Sequence, residues 1–177
     1  TNLVKSPWVT IKKQSVITPN GVLDPFYCIE ENPWALTIPI TPSGEVIMVA
    51  QYRHGIGSMS LEFPAGQVDT TDDSIKESAL RELKEETGYS PLSSKEVIDL
   101  GHVYCDPART TNKGHGFLVF VDEHPQTSQQ LDEHEDIHVV KLPLQDVYRL
   151  STESSSPFFY HAAHLSLFYR ALPHLSF

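Results

Sequence analysis

Residues 73–88 constrain this chain more than any other stretch. Asp72 or Asp73 can cap a helix, Glu77 follows in its first turns, and Gly88 stands where a left-handed C-cap belongs. A helix is therefore predicted over about Asp73–Thr87, and both of its flanks read as strands. Upstream lie Trp8–Val16, Val22–Glu30, Trp34–Ile40 and Glu45–Tyr52. They are punctuated by Pro19-Asn20-Gly21 and Thr41-Pro42-Ser43-Gly44, whose Pro and Gly set turn dihedrals. Downstream, Val97–Val103, Phe117–Val121 and Glu135–Leu142 look extended. Pro143 predicts a short helix ending near Leu150. After a polar break, Ser151–Ser156, Pro157 predicts a final helix with Phe158, Ala162, Leu165, Leu167 and Phe168 available for packing. One helix set among strands, with helices last, predicts an α/β fold: a mixed β-sheet sandwiched between helices.

A chain of 177 residues fits one domain, so residues 1–177 are expected to form a single unit. It carries 13 Lys+Arg against 23 Asp+Glu, a net charge of -10. A general nucleic-acid binder needs a basic face for phosphates, so no nucleic-acid partner is expected. No apolar run is long enough to span a membrane, and Thr1–Lys5 lacks the apolar core of a signal peptide. Cys28 and Cys105 make no CxxC pair and are expected to be small buried residues. Such sparse cysteine use suits a reducing compartment, and a cytoplasmic location is the expectation.

The charge has a pattern. On a helix, Glu82, Glu85 and Glu86 fall within one arc of roughly 100°. Glu82 and Glu86 are stacked at i, i+4, where like charges cost an isolated helix about 0.2–0.5 kcal/mol. Ile75, Ala79 and Leu83 occupy the adjoining arc and can face a core. A divalent cation would turn the repulsion into attraction, and hard oxygen donors suit Mg²⁺ or Mn²⁺. A solvated acidic face is the plainer reading of the same triplet. Leu61-Glu62-Phe63-Pro64-Ala65-Gly66 precedes the helix with a tight turn able to aim the Ala65 carbonyl at the same ion. Arg81 can brace Glu85 at i, i+4.

Gly66 followed by Arg81-Glu82-Leu83-x-Glu85-Glu86-x-Gly88-Tyr89 resembles the Nudix box of the Nudix hydrolases. The segment from Gly66 to Arg81 is one residue longer than usual in that box. Its early glutamate is replaced by Asp73 or Asp72, which implies a longer loop rather than lost activity. The resemblance implies a Nudix fold with an N-terminal β-strand arm, and hydrolysis of a nucleoside diphosphate linked to another group. It implies Mg²⁺, or Mn²⁺, on Glu82 and Glu86, with Glu85 sharing a second ion and Ala65 completing the shell.

Gln51-Tyr52-Arg53 and Glu62-Phe63-Pro64-Ala65-Gly66 are similar to the ADP-ribose/ADP-sugar pyrophosphatase branch. That branch implies a nucleoside diphosphate sugar as substrate, with a nucleoside monophosphate and a sugar phosphate as products. A second acidic cluster, Leu131–Ile137, resembles the branch's catalytic loop. By position Glu133 is the general base and Glu135 a further metal ligand, with His134 as the rival base. The catalytic set implied is thus Glu133, Glu85 and Arg81. The substrate set is Arg53, forking onto a phosphate, with Glu62, Gly66, Trp34 and Arg109. Lys113 is a further candidate beside Arg109. Pro107 lies near the branch's proline, though Ala108 and Arg109 follow it where a glycine is common. Trp8, Phe26, Tyr27 and Trp34 are candidates to stack the base, or are core or dimer contacts. The branch implies a homodimer with the strands of residues 1–40 at its interface. His161 and His164 lack a third metal ligand in sequence and are expected on the surface. Alternatives are a Nudix hydrolase for GDP-mannose, a dinucleoside polyphosphate or capped RNA, and a nucleotide-sensing module without catalysis.

Overall fold

The computed structural model describes residues 1–93, 95–153 and 161–175. The chain begins with a small antiparallel sheet of β1 (Asn2–Lys5), β2 (Val9–Thr18) and β3 (Gly21–Glu31), in that spatial order. The main sheet holds β4 (Trp34–Ile40), β5 (Glu45–Arg53), β8 (Val97–Tyr104), β9 (Lys113–Phe120) and β10 (Ile137–Pro143), ordered β10-β5-β4-β9-β8. Two short strands extend it: β6 (Ser58–Glu62) on β5 and β7 (Ala65–Gln67) on β4. The pairing of β4 with β9 is parallel and the others are antiparallel, so the sheet is mixed as expected. Gly44 adopts a left-handed φ of 83° in the Thr41–Gly44 turn that joins β4 to β5.

Alternation along the strands divides the core in two. Leu36, Ile38, Val46, Met48 and Leu118 face α2 (Leu144–Thr152) and α3 (Ala162–Ala171), which supply Val147, Leu167 and Phe168. Ala35, Ile47, Phe117 and Val119 face α1 (Ile75–Thr87), which supplies Ala79 and Leu83. Full burial of each Leu or Phe contributes about 1.5–3 kcal/mol. The sheet is thus sandwiched between helices. Among the described residues no helix is long and apolar enough to cross a membrane.

Several boundaries differ from expectation, each for a local reason. Ser74, not an aspartate, caps α1: its side chain accepts the Glu77 N–H at 3.2 Å, while Glu77 accepts the Asp73 N–H at 3.1 Å. Gly88 closes the helix at φ 76°, as expected. Pro143 ends β10 and precedes α2. The exposed arm stops at Glu31, because Trp34–Ile40 is the buried centre of the main sheet. Cys105 is exposed and Cys28 half-buried; both are free thiols. The expected start of the last helix at Pro157, with Phe158, lies outside the described residues.

Candidate active site

The α1 carboxylates are set by the β6–β7 turn and by Arg81. Glu86 is 3% exposed, and its Oε2 accepts the Ala65 N–H at 3.0 Å. The Glu82 carboxylate lies over Gly66, where an added Cβ would stand 2.1 Å from its Cδ. Glycine there makes the cradle that the carboxylate fills. Arg81 Nη1 donates to Glu85 at 2.7 Å, the expected i, i+4 brace, and to Glu82 at 2.9 Å. Its Nε reaches Asp72 at 3.2 Å. Burial pushes Glu86 up to about 8, reinforced by Glu82 and Glu135 and opposed by the Ala65 N–H. Burial also raises Glu82, with Arg81 opposing.

As placed, no three His, Cys, Asp or Glu side chains among the described residues stand close enough to hold an ion. Arg81 draws Glu82 and Glu85 to itself, and Glu86 is turned onto Ala65. The donor chemistry nonetheless fits a hard divalent cation. Buried Glu86 and half-buried Glu82, which repel one another, flank Ala65 and Gly66, with Glu85 on the rim.

Ala65 and Gly66 also line a cavity of about 640 Å³, so the carboxylates stand at its edge. Trp34, Asn112, His161 and His164 line it too, together with Tyr52–Ile56, Ser60, Glu62 and Gln67. The Arg53 fork, expected to meet a phosphate, is directed to Glu62, with Nε–Oε1 at 2.9 Å and Nη2–Oε2 at 2.6 Å. Burial opposes the Glu62 charge, but Arg53 outweighs it and brings Glu62 down to about 2. Trp34 is wedged in place: Nε1 donates to Asn112 Oδ1 at 2.7 Å, and the ring lies on Gly114, where a Cβ would be 2.3 Å from Cζ2.

His161 and His164 are not on the surface. His164 is 1% exposed and His161 half-buried, with ring centroids 4.1 Å apart. Burial depresses both, His164 to about 3. The sequence held a signal for this: His164 shares a helical stripe with Leu167, Phe168 and Ala171. Asn112 carried no such signal.

The second acidic cluster is moored at one end. Gln129 Nε2 donates to Glu86 O at 2.7 Å, and the Gln130 N–H donates to Glu85 O at 2.8 Å. Gln126 and Thr127 N–H groups reach Gly88 O. These bonds satisfy the last carbonyls of α1. Asp132–Asp136 beyond them is exposed. Glu135 acts electrostatically on Glu82, Glu86 and Arg53, whereas among the described residues no hydrogen bond or ion pair joins exposed Glu133 to the box. Arg109 is exposed in a loop whose carbonyl accepts the Ile29 N–H, and it does not line the cavity. Lys113 is half-buried in β9.

Residues 32–162 match the model of the NUDIX domain. The chain is 28% identical to the ADP-ribose pyrophosphatase of Bacillus subtilis over 77% of this chain and 72% of that protein. It is 34% identical to the ADP-sugar pyrophosphatase of Mus musculus over 58% of this chain, and it spans about half of that relative (47%). A solved structure described as an ADP compounds hydrolase superposes with a TM-score of 0.82, at 24% identity, over 99% of this chain and 90% of that one. That likeness is one of fold.

Proposed function

The chain belongs to the Nudix family, and on that premise we propose that it hydrolyses the diphosphate bond of nucleoside diphosphate sugars of the ADP-ribose type. The products are a nucleoside monophosphate and a sugar phosphate. One observation carries the reading. Glu82 and Glu86, packed against Gly66 and Ala65, stand beside a 640 Å³ cavity whose lining includes aromatic and amide side chains and which is large enough for one substituent of a diphosphate. The sugar class is suggested by the likeness to an ADP-ribose pyrophosphatase and an ADP-sugar pyrophosphatase.

Glu82, Glu86 and the Ala65 carbonyl would hold Mg²⁺ or Mn²⁺, with Glu85 and Glu135 sharing a further ion. When bound, the metal neutralises diphosphate charge and makes water a better nucleophile. Arg81 spaces Glu82 and Glu85 and counters their charge. Glu133 accepts the proton of the attacking water; it is exposed, and the moored Gln126–Gln130 segment keeps its loop beside α1. Glu62 keeps Arg53 facing the cavity, and Trp34 and Gly66 shape its wall. Arg109 reaches substrate only if its loop swings toward the cavity.

Residues 1–177 act as one Nudix domain, and a second copy covers the exposed Leu3, Trp8, Ile17, Val22 and Tyr27 of the small sheet. A monomer by light scattering would refute the homodimer. The two free thiols suit a cytoplasmic location. A panel of ADP-, GDP-, UDP- and CDP-sugars with Mg²⁺ or Mn²⁺ tests the activity. The expected result is fastest turnover of an ADP-sugar; no phosphate product from any member overturns the reading.

A further inference from the structure

Three layers of the fold meet at the turn Glu62–Ala65. The Thr37 N–H of β4 donates to Pro64 O at 3.0 Å. The Ala65 N–H donates to Glu86 of α1 at 3.0 Å. The Phe63 N–H donates to Nδ1 of His164 on α3 at 3.3 Å, across 101 positions of the chain. We propose that His164 is a positioning residue: by accepting the Phe63 N–H it ties α3 to this turn, and so holds Ala65 and Glu62 where the α1 carboxylates and Arg53 need them. This deepens the hydrolase reading above and rests on it for the meaning of the turn.

The role needs an acceptor at Nδ1, and therefore a neutral ring with its proton on Nε2. The surroundings enforce that state. His164 lies against Phe63 (stacked, centroids 6.1 Å), Trp34 (5.4 Å) and His161 (4.1 Å). His161 beside it disfavours a second charge, and Glu62 and Arg53, joined in a tight pair, act on it in opposite senses. Packing alone does not ask for histidine here. Its neighbours along the stripe are Leu167, Phe168 and Ala171, and an apolar ring would fill the space without the cost of desolvating two nitrogens. The bond to the backbone offsets that cost and gives the ring a direction. The consequence reaches past Phe63. Pro64 and Ala65 follow in sequence, Ala65 faces Glu86, and Glu62 precedes with the Arg53 fork.

The test compares His164→Phe, which keeps a ring and removes the acceptor, with His164→Asn, which keeps an acceptor in a smaller side chain. Mn²⁺ binding is read by electron paramagnetic resonance, and kcat and KM are measured with ADP-ribose. His164→Phe is expected to weaken Mn²⁺ binding about 10–100-fold, the scale of losing a group that orients a ligand. Its kcat should fall in step, and His164→Asn should recover most of the Mn²⁺ affinity. A folded His164→Phe with unchanged Mn²⁺ affinity overturns the proposal, as does His164→Asn losing as much as His164→Phe. If neither variant folds, imidazole ¹⁵N spectra of the wild-type protein decide. The Nε2–H tautomer of His164 at neutral pH is expected, and a proton on Nδ1 refutes the role. If the wild-type chain hydrolyses no nucleotide sugar, the hydrolase reading falls by itself, while Mn²⁺ affinity and tautomer still judge His164.

Discussion

Gly66–Tyr89 and Ser128–His138 each carry a net charge of -4, yet the fold treats them in opposite ways. In the first, Glu82 and Glu86 are withdrawn from water, pressed onto Gly66 and Ala65, and countered by Arg81. In the second, Asp132, Glu133, Glu135 and Asp136 stay in water. The net charge is the same, but only the Glu82–Glu86 pair stores repulsion that a cation would relieve. The exposed cluster keeps its carboxylates in water, where they are open to solvent and to a bound substrate. A metal seat and a proton acceptor need these two different treatments.

The sharpest way to break this contrast is to neutralise one member of each segment. Glu86→Gln should lower kcat by about three orders of magnitude, the scale of several kcal/mol of lost charge stabilisation, without lowering Tm. Unchanged turnover would remove Glu86 from the metal seat. Glu133→Gln should lower kcat by about 10²-fold or more, the range of a lost general base, with Tm and Mn²⁺ affinity unchanged. Should His134→Ala produce that loss instead, the base is His134. Gly66→Ala should cost about 10²-fold in kcat with a native circular dichroism spectrum. The new Cβ displaces the end of a flexible side chain rather than the fold.

The smallest effect is on stability. Burial holds Glu86 near 8 when folded, against 4.5 for the free group, so between those values the folded chain keeps a proton the unfolded chain has released. Stability contributed by this group is present below 4.5 and lost as pH rises toward 8. Above pH 6.5, where His164 is neutral folded or unfolded, Tm of the metal-free protein should therefore fall up to about pH 8. Glu86→Gln should flatten that slope, and so should saturating Mn²⁺. Asp136→Asn in the exposed cluster should leave the slope as it is; a matching change there would erase the distinction between the segments.

Local chemistry made most of the fold legible. Gly88 and Gly44 read correctly because a left-handed φ admits few other residues, and the β-branched runs gave the central strands. Strands β6 and β7, of five and three residues, are too short to show a period, so the sequence suggested only a turn there. The Glu82–Glu85–Glu86 face, with Arg81 and Gly66, was readable because those residues lie within one short segment. What escaped was long-range. Arg53 meets Glu62 through the β5–β6 pairing, Trp34 meets Asn112 through the β4–β9 pairing, and His164 meets Phe63 from the far end of the chain. His161 and His164 were weighed as a metal pair and set aside for want of a third ligand. Reading α3 for its apolar stripe would have placed His164 inside.

The parallel pairing of β4 with β9 sets a folding order. It joins Trp34 to Gly114, so its ladder cannot form until the whole loop between them, α1 included, has been closed. Non-local pairing of this kind is slow. During synthesis α1 would be complete while β4 still presents Leu36 and Ile38 with one edge bare, waiting for β9 to emerge. The vulnerable species is thus a partly synthesised chain with an open central strand, which is prone to aggregate. Lower temperature, which weakens the apolar association of such edges, should raise the yield of folded protein.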